Sequence, residues 1–141
     1  MDYNAKFDID LDFGKVVEKL LRELLESEGS KIESKAERDN SNTGWIDSRN
    51  IAIEISCCGK PSGLSITEAD WWAHALTTTN ADGSLKKVKC ILLFPVDELK
   101  SICNGMIRNG TANKTMGGDN NESKLLLLSI KELADSIGKF F

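Results

Sequence analysis

The apolar positions of the chain first recur at helical spacing. Phe13, Val16, Val17, Leu20, Leu21, Leu24 and Leu25 mark an amphipathic helix that Asp10 or Asp12 would cap and that ends near Gly29. The period then shortens to two. Over about 31–37, Glu33, Lys35 and Glu37 point one way and Ile32, Ser34 and Ala36 the other. Over about 50–56, Ile51, Ile53 and Ile55 share a face, opposite Ala52, Glu54 and Ser56. The polar stretch from Asn40 to Trp45 reads as the connection between these two strands, and Gly59-Lys60-Pro61-Ser62-Gly63 as a turn. Thr67 with Asp70 three residues on predicts a capped helix over 68–76. Lys86 to Phe94 predicts a strand, central in its sheet because its end is apolar on both faces. Pro95 stops it, and Val96 to Met106 reads as a helix. Residues 108–123, rich in Asn, Gly, Thr and Asp, read as a long loop. Leu125 to Leu128 reads as a strand. Ser129 and Glu132 form a capping box before a last helix, 130–138, that buries Ile130, Leu133 and Ile137.

This order predicts an α/β fold, a mixed central sheet flanked by helices with an early antiparallel hairpin, in a single domain over 1–141. With 141 residues, 40% hydrophobic and 28% charged, the chain has the composition of a globular protein with room for a core. No apolar run reaches the roughly 20 residues of a membrane helix, so no membrane partner is expected. The N-terminal residues lack the apolar stretch of a signal peptide, which makes a cytoplasmic location the expectation. The four cysteines include no Cys-x-x-Cys pair, and a single histidine, His74, cannot complete a zinc set. Cys90, in an apolar run, reads as a buried small hydrophobe. A net charge of −4 argues against a general nucleic-acid coating protein but leaves room for a metal-dependent nuclease.

The candidate chemistry lies in the acids of the two early strands. If those strands pair, Glu33, Lys35 and Glu54 converge, and two carboxylates beside a lysine suit a hard divalent cation. The plainer reading makes 33–39 an exposed edge strand carrying surface ion pairs. Lys60 and Ser62 either present a cation and backbone N–H groups to phosphate or form a plain turn. His74 reads as structural, and Lys86, Lys87 and Lys89 as a solvated cluster.

Several runs carry a family likeness. They are Ile32-Glu33-Ser34-Lys35-Ala36-Glu37-Arg38-Asp39, Thr43-Gly44, Asn50-Ile51-Ala52-Ile53-Glu54, Gly59-Lys60-Pro61-Ser62-Gly63-Leu64, Thr67-Glu68-Ala69-Asp70-Trp71-Trp72 and Gly117-Gly118-Asp119-Asn120. The chain thereby resembles the PD-(D/E)XK, restriction-endonuclease-like nuclease superfamily, and within it small phage-encoded nucleases. The resemblance implies hydrolysis of DNA phosphodiesters with Mg²⁺ or Mn²⁺, in the host cytoplasm if the protein is phage-encoded. Glu33 and Glu54 would hold metal, Glu18 of the first helix would add to the shell, and Lys35 would orient the attacking water. The family's separate upstream Asp strand is missing. Either Glu33-x-Lys35 is itself the motif, or Glu33 replaces the upstream Asp, Glu54 is the main acid and Ser56 stands in the lysine position. The second register is preferred because it explains a lone carboxylate among isoleucines. A domain of this size offers little surface to a duplex, so a homodimer or an assembly with a partner is the expectation. The alternative is a catalytically degenerate module on the same fold that binds nucleic acid or a protein.

Overall fold

A computed structural model describes residues 15, 19, 23, 29, 31–39, 44–117 and 119–138. The chain divides into two compact units, residues 1–30 and 31–141. In the first, positions 15, 19 and 23 are helical. Lys19 Nζ lies 3.9 Å from Glu23 Oε1, the i,i+4 pair that helical spacing brings together. Glu18 lies outside the described residues.

The second unit runs β1 (Ile32–Glu37), α1 (Trp45–Ser48), β2 (Asn50–Cys57), β3 (Lys60–Pro61), a 3₁₀ turn (Gly63–Ser65), β4 (Trp71–Thr79), β5 (Leu85–Pro95), α2 (Val96–Asn109), β6 (Ala112–Gly117), β7 (Ser123–Ser129) and α3 (Ile130–Ser136). It is an α/β arrangement. One sheet, ordered β1-β4-β5, is mixed: β1 runs parallel to β4 and β5 antiparallel to it. The other, ordered β3-β2-β7-β6, is antiparallel throughout. No helix among the described residues is long and apolar enough to cross a membrane.

Alternation explains the core. Ile51 and Ile53 of β2 and Leu126 and Leu128 of β7 turn the same way and are buried. With Trp72 and Leu76 of β4 they meet Leu99, Ile102 and Met106 of α2 and Leu133 of α3. Each such side chain contributes about 1.5–3 kcal/mol of transfer free energy. Gly110, at φ 80, ends α2 by donating its N–H to the carbonyls of Met106 and Ile107. Ser129 caps α3, its hydroxyl accepting from Glu132 N–H as the capping box predicts.

Five expectations are corrected. The early hairpin does not join β1 to β2: β1 pairs with β4, and the antiparallel hairpin is β2–β3. Its two turn residues, Cys58 and Gly59, both adopt positive φ, the geometry that matches strand twist. Residues 71–79 form a strand rather than a helix, because Trp72, His74 and Leu76 are buried at a period of two. Thr67 and Asp70, read as a cap, bind elsewhere: Thr67 Oγ1 donates to Glu33 Oε2, and Asp70 Oδ2 accepts from Lys31 N–H. The loop over 108–123 contains β6, an edge strand whose polar residues need only one ladder and one packed face. Finally, β5 is an edge strand with Ile91 58% exposed, and Cys90 on it is exposed while Cys103 is buried.

Gly63 packs its backbone directly against that of Glu54. It sits at φ +54, and a Cβ there would stand 2.2 Å from Glu54 O and 3.0 Å from Glu54 Cβ. Gly63→Ala is expected to lower unfolding free energy by about 2 kcal/mol or more, measured by urea denaturation, because left-handed strain and backbone overlap combine. Burial pushes the Cys103 thiol from 9.0 to about 12. Between pH 9 and 12 the unfolded thiol ionises and the folded one does not, so stability falls as pH rises through that window. Cys103→Ala should be less stable at pH 7 yet lose less stability between pH 9 and 11, read from urea midpoints at each pH.

Candidate functional site

The site is built where the two sheets meet without a shared ladder. On β1, Glu33, Lys35 and Glu37 share the face that Trp72, His74 and Leu76 share on the neighbouring β4, with Lys35 opposite His74 and Glu37 opposite Leu76. Side chains fix this parallel pair at both ends. Asp70 accepts from Lys31 N–H at 3.0 Å, and Asp39 Oδ1 accepts from Thr79 N–H and Oγ1–H at 2.9 and 2.7 Å. Thr77 Oγ1 donates to Glu37 O at 2.7 Å, and Trp45 Nε1 donates to Thr77 O at 2.8 Å.

Glu37 bridges to the second sheet. Its Oε1 accepts from Ala52 N–H of β2 at 2.6 Å and lies 2.8 Å from His74 Nε2. His74 is 1% exposed, and its Nδ1 lies 3.1 Å from Trp72 Nε1. An indole N–H only donates, so Nδ1 is the acceptor and the imidazole carries its proton on Nε2, where it donates to Glu37. The relay Trp72→His74→Glu37 therefore fixes the direction of every hydrogen bond along it.

Across the gap, Glu54 projects from β2 on the face opposite Ile51 and Ile53. Its Oε1 accepts from the buried Ser123 hydroxyl of β7 at 2.6 Å. The ladder shifts between Glu54 and Ser56, placing a bulge beside this carboxylate. Lys35, Glu37, Glu54 and His74 line one cleft of about 260 Å³, with Ala52 and Leu125 at its base.

The residues singled out in the sequence divide accordingly. Lys35 and Glu54 line this cleft together. Glu33 lines a separate cavity with Thr67 and Gly63, and reaches the cleft only through Lys35, whose Nζ is 3.2 Å from Glu33 Oε1. Lys60 is exposed on β3, and neither it nor Ser62 lines the cleft. The Ser62 hydroxyl is buried with no hydrogen-bond partner among the described residues. Glu37 and His74 line the cleft without having been among the candidates. Glu37 already shared a face with Glu33 and Lys35. The signal for His74 was the period-two burial of Trp72, His74 and Leu76, hidden by the helical reading.

Among the described residues, no three His, Cys, Asp or Glu side chains gather tightly enough to hold a metal ion unaided. The donor chemistry of the cleft still suits Mg²⁺ or Mn²⁺. Glu37 and Glu54 each use Oε1 internally, leaving Oε2 without a hydrogen-bond partner among the described residues. One or two carboxylates, completed by water and phosphate oxygens, are the usual complement for Mg²⁺. The Cys58 thiol near the site is a poor ligand at neutral pH: donation to Glu122 Oε2 at 3.1 Å, then the contact with Cys57, pushes it up to about 11. Comparison with protein-family models, curated proteins and solved structures returns no match.

The Glu37 junction makes a stability prediction. Glu37→Ala leaves a buried imidazole N–H and the Ala52 N–H unpaired and should cost about 2–3 kcal/mol in chemical denaturation. Glu37→Gln keeps the Oε1 acceptor and should retain most of that stability. Equal losses in the two variants would refute the junction.

Proposed function

We propose that the chain is a nuclease of the restriction-endonuclease-like type, hydrolysing DNA phosphodiesters with Mg²⁺ or Mn²⁺ in the Lys35–Glu37–Glu54 cleft. The observation that carries this reading is the meeting of two carboxylates from different sheets with one lysine in a single cleft. The mixed β1-β4-β5 sheet and the motif likeness of 32–72 support it. The proposal departs from the expected residue set: Glu37 takes the role assigned to Glu33, Glu18 lies outside the described residues, and Lys60 and Ser62 do not line the cleft.

In this scheme the protein supplies positioning. His74 and Ala52 hold Glu37, and Ser123 holds Glu54, so neither carboxylate must be ordered when substrate arrives. The bound cation would neutralise the phosphate and lower the pKa of a coordinated water. Lys35, steadied by Glu33, donates toward the non-bridging oxygen or the attacking water. Water adds to phosphorus, the P–O ester bond breaks, and the proton lost by the attacking water reaches the departing oxygen through solvent. Glu33 is thereby a positioning residue for Lys35.

A second reading, a nucleic-acid or protein-binding module without catalysis, is favoured by the absence of a three-residue metal cluster among the described residues. Thermal unfolding with and without Mn²⁺ separates the two. A competent site gains about 2.7 kcal/mol at a hundredfold excess over Kd. Glu54→Gln and Glu37→Gln should fold but lose this gain, and Lys35→Ala should cut DNA at least about 100-fold more slowly while keeping it. No Mn²⁺ gain together with no cleavage would establish the binding module.

A further inference from the structure

The cleft does not end at Glu37. A second cavity of about 480 Å³ continues from it, sharing Glu37, Ala52 and Leu125 as common walls. Its floor is the outward face of β2 and β7, where Ala52 stands opposite Leu127 and Glu54 opposite Leu125. β6 walls one side, with Thr115 opposite Leu125. Asn50 and Asn121 stand on its rim, and their side-chain amides make no hydrogen bond to a described residue. Lys35 is the one cation lining either cavity among the described residues.

This lining selects a kind of ligand. A groove tracking a polyanionic backbone needs a row of lysines or arginines, and the described lining supplies none beyond Lys35. A nucleobase needs a flat apolar surface for its face and groups that both donate and accept for its edge. Leu125, Leu127 and Ala52 provide the first, and the Asn50 and Asn121 amides the second. The volume falls within the range of small-ligand sites. We propose that this cavity receives one unpaired nucleobase, next to the phosphate held in the Lys35–Glu37–Glu54 cleft, and that the substrate is single-stranded DNA. The inference rests on the nuclease reading for what lies in the cleft, and adds the strand preference. A base still stacked in a duplex cannot enter the cavity without being extruded, which weakens duplex binding.

The test measures binding without cleavage. Fluorescence anisotropy in EDTA compares a labelled strand of about ten nucleotides with its duplex and with a same-length strand lacking bases. Single strand should bind at least about tenfold more tightly than either competitor, since only it presents a free base to the cavity. The variant Asn50→Ala/Asn121→Gly removes both amides, and glycine accepts the φ of 55° at position 121 without strain. It should weaken single-strand binding about tenfold and leave the Mn²⁺ stability gain unchanged. Equal binding of duplex or baseless strand, no effect of the double variant, or no DNA binding at all would overturn the base pocket. A lost Mn²⁺ gain with base-dependent binding intact would overturn the nuclease reading and spare the pocket.

Discussion

The carboxylate of Glu37 is the constraint on which the site depends. β1 and β2 belong to different sheets, and Glu37 ties them by accepting at once from a β2 backbone N–H and from the buried imidazole of β4. A side-chain bond in place of a ladder leaves a gap between the strands, and that gap is the cleft. Had β1 and β2 paired along their length, backbone hydrogen bonds would have closed the space that Lys35 and Glu54 now line. The junction can persist because its other partners cannot exchange roles: Trp72 only donates, so His74 must give its remaining proton to Glu37.

Glu54 is held differently but to the same effect. Ser123 fixes its Oε1, while the 3₁₀ turn at Gly63 presses against its backbone closely enough to exclude a side chain. Ser65 Oγ and Ser62 N–H both donate to the carbonyl of Ile55, so the turn is pinned to β2 beside the carboxylate. One acid is thus oriented from the mixed sheet and the other from the antiparallel sheet. Preorganisation of this kind matters for phosphate chemistry, where protein groups act chiefly by position and charge.

Much of this was legible in the sequence, and what was not has identifiable causes. The two acidic strands, the helix after Pro95, the last strand and the capped C-terminal helix follow from local periodicity and capping, which short windows contain. The buried Ile51 and Ile53 of β2 followed from alternation, and alternation with the motif likeness singled out Lys35 and Glu54, which line one cleft. Strand pairing was not legible, because it is set by long-range contacts such as Asp70 with Lys31 and Asp39 with Thr79. Those same contacts disguised β4. Thr67 and Asp70 have the spacing of a helix cap, yet their side chains serve Glu33 and Lys31. β6 escaped notice for a simpler reason: an edge strand can be polar on most of its length, so composition reads it as a loop. Glu37 was not among the candidates because its partners, Ala52 N–H and His74, reach it through long-range packing that no local pattern shows.

The central claim is that Glu37 and Glu54, from separate sheets, form one cation site. Anomalous diffraction from a crystal soaked in Mn²⁺ tests it most directly. A peak is expected between the Glu37 and Glu54 carboxylates, with the Glu37–His74 hydrogen bond retained. A peak at Glu33 with the cleft empty, or no Mn²⁺ between Glu37 and Glu54 at saturating concentration, would contradict it.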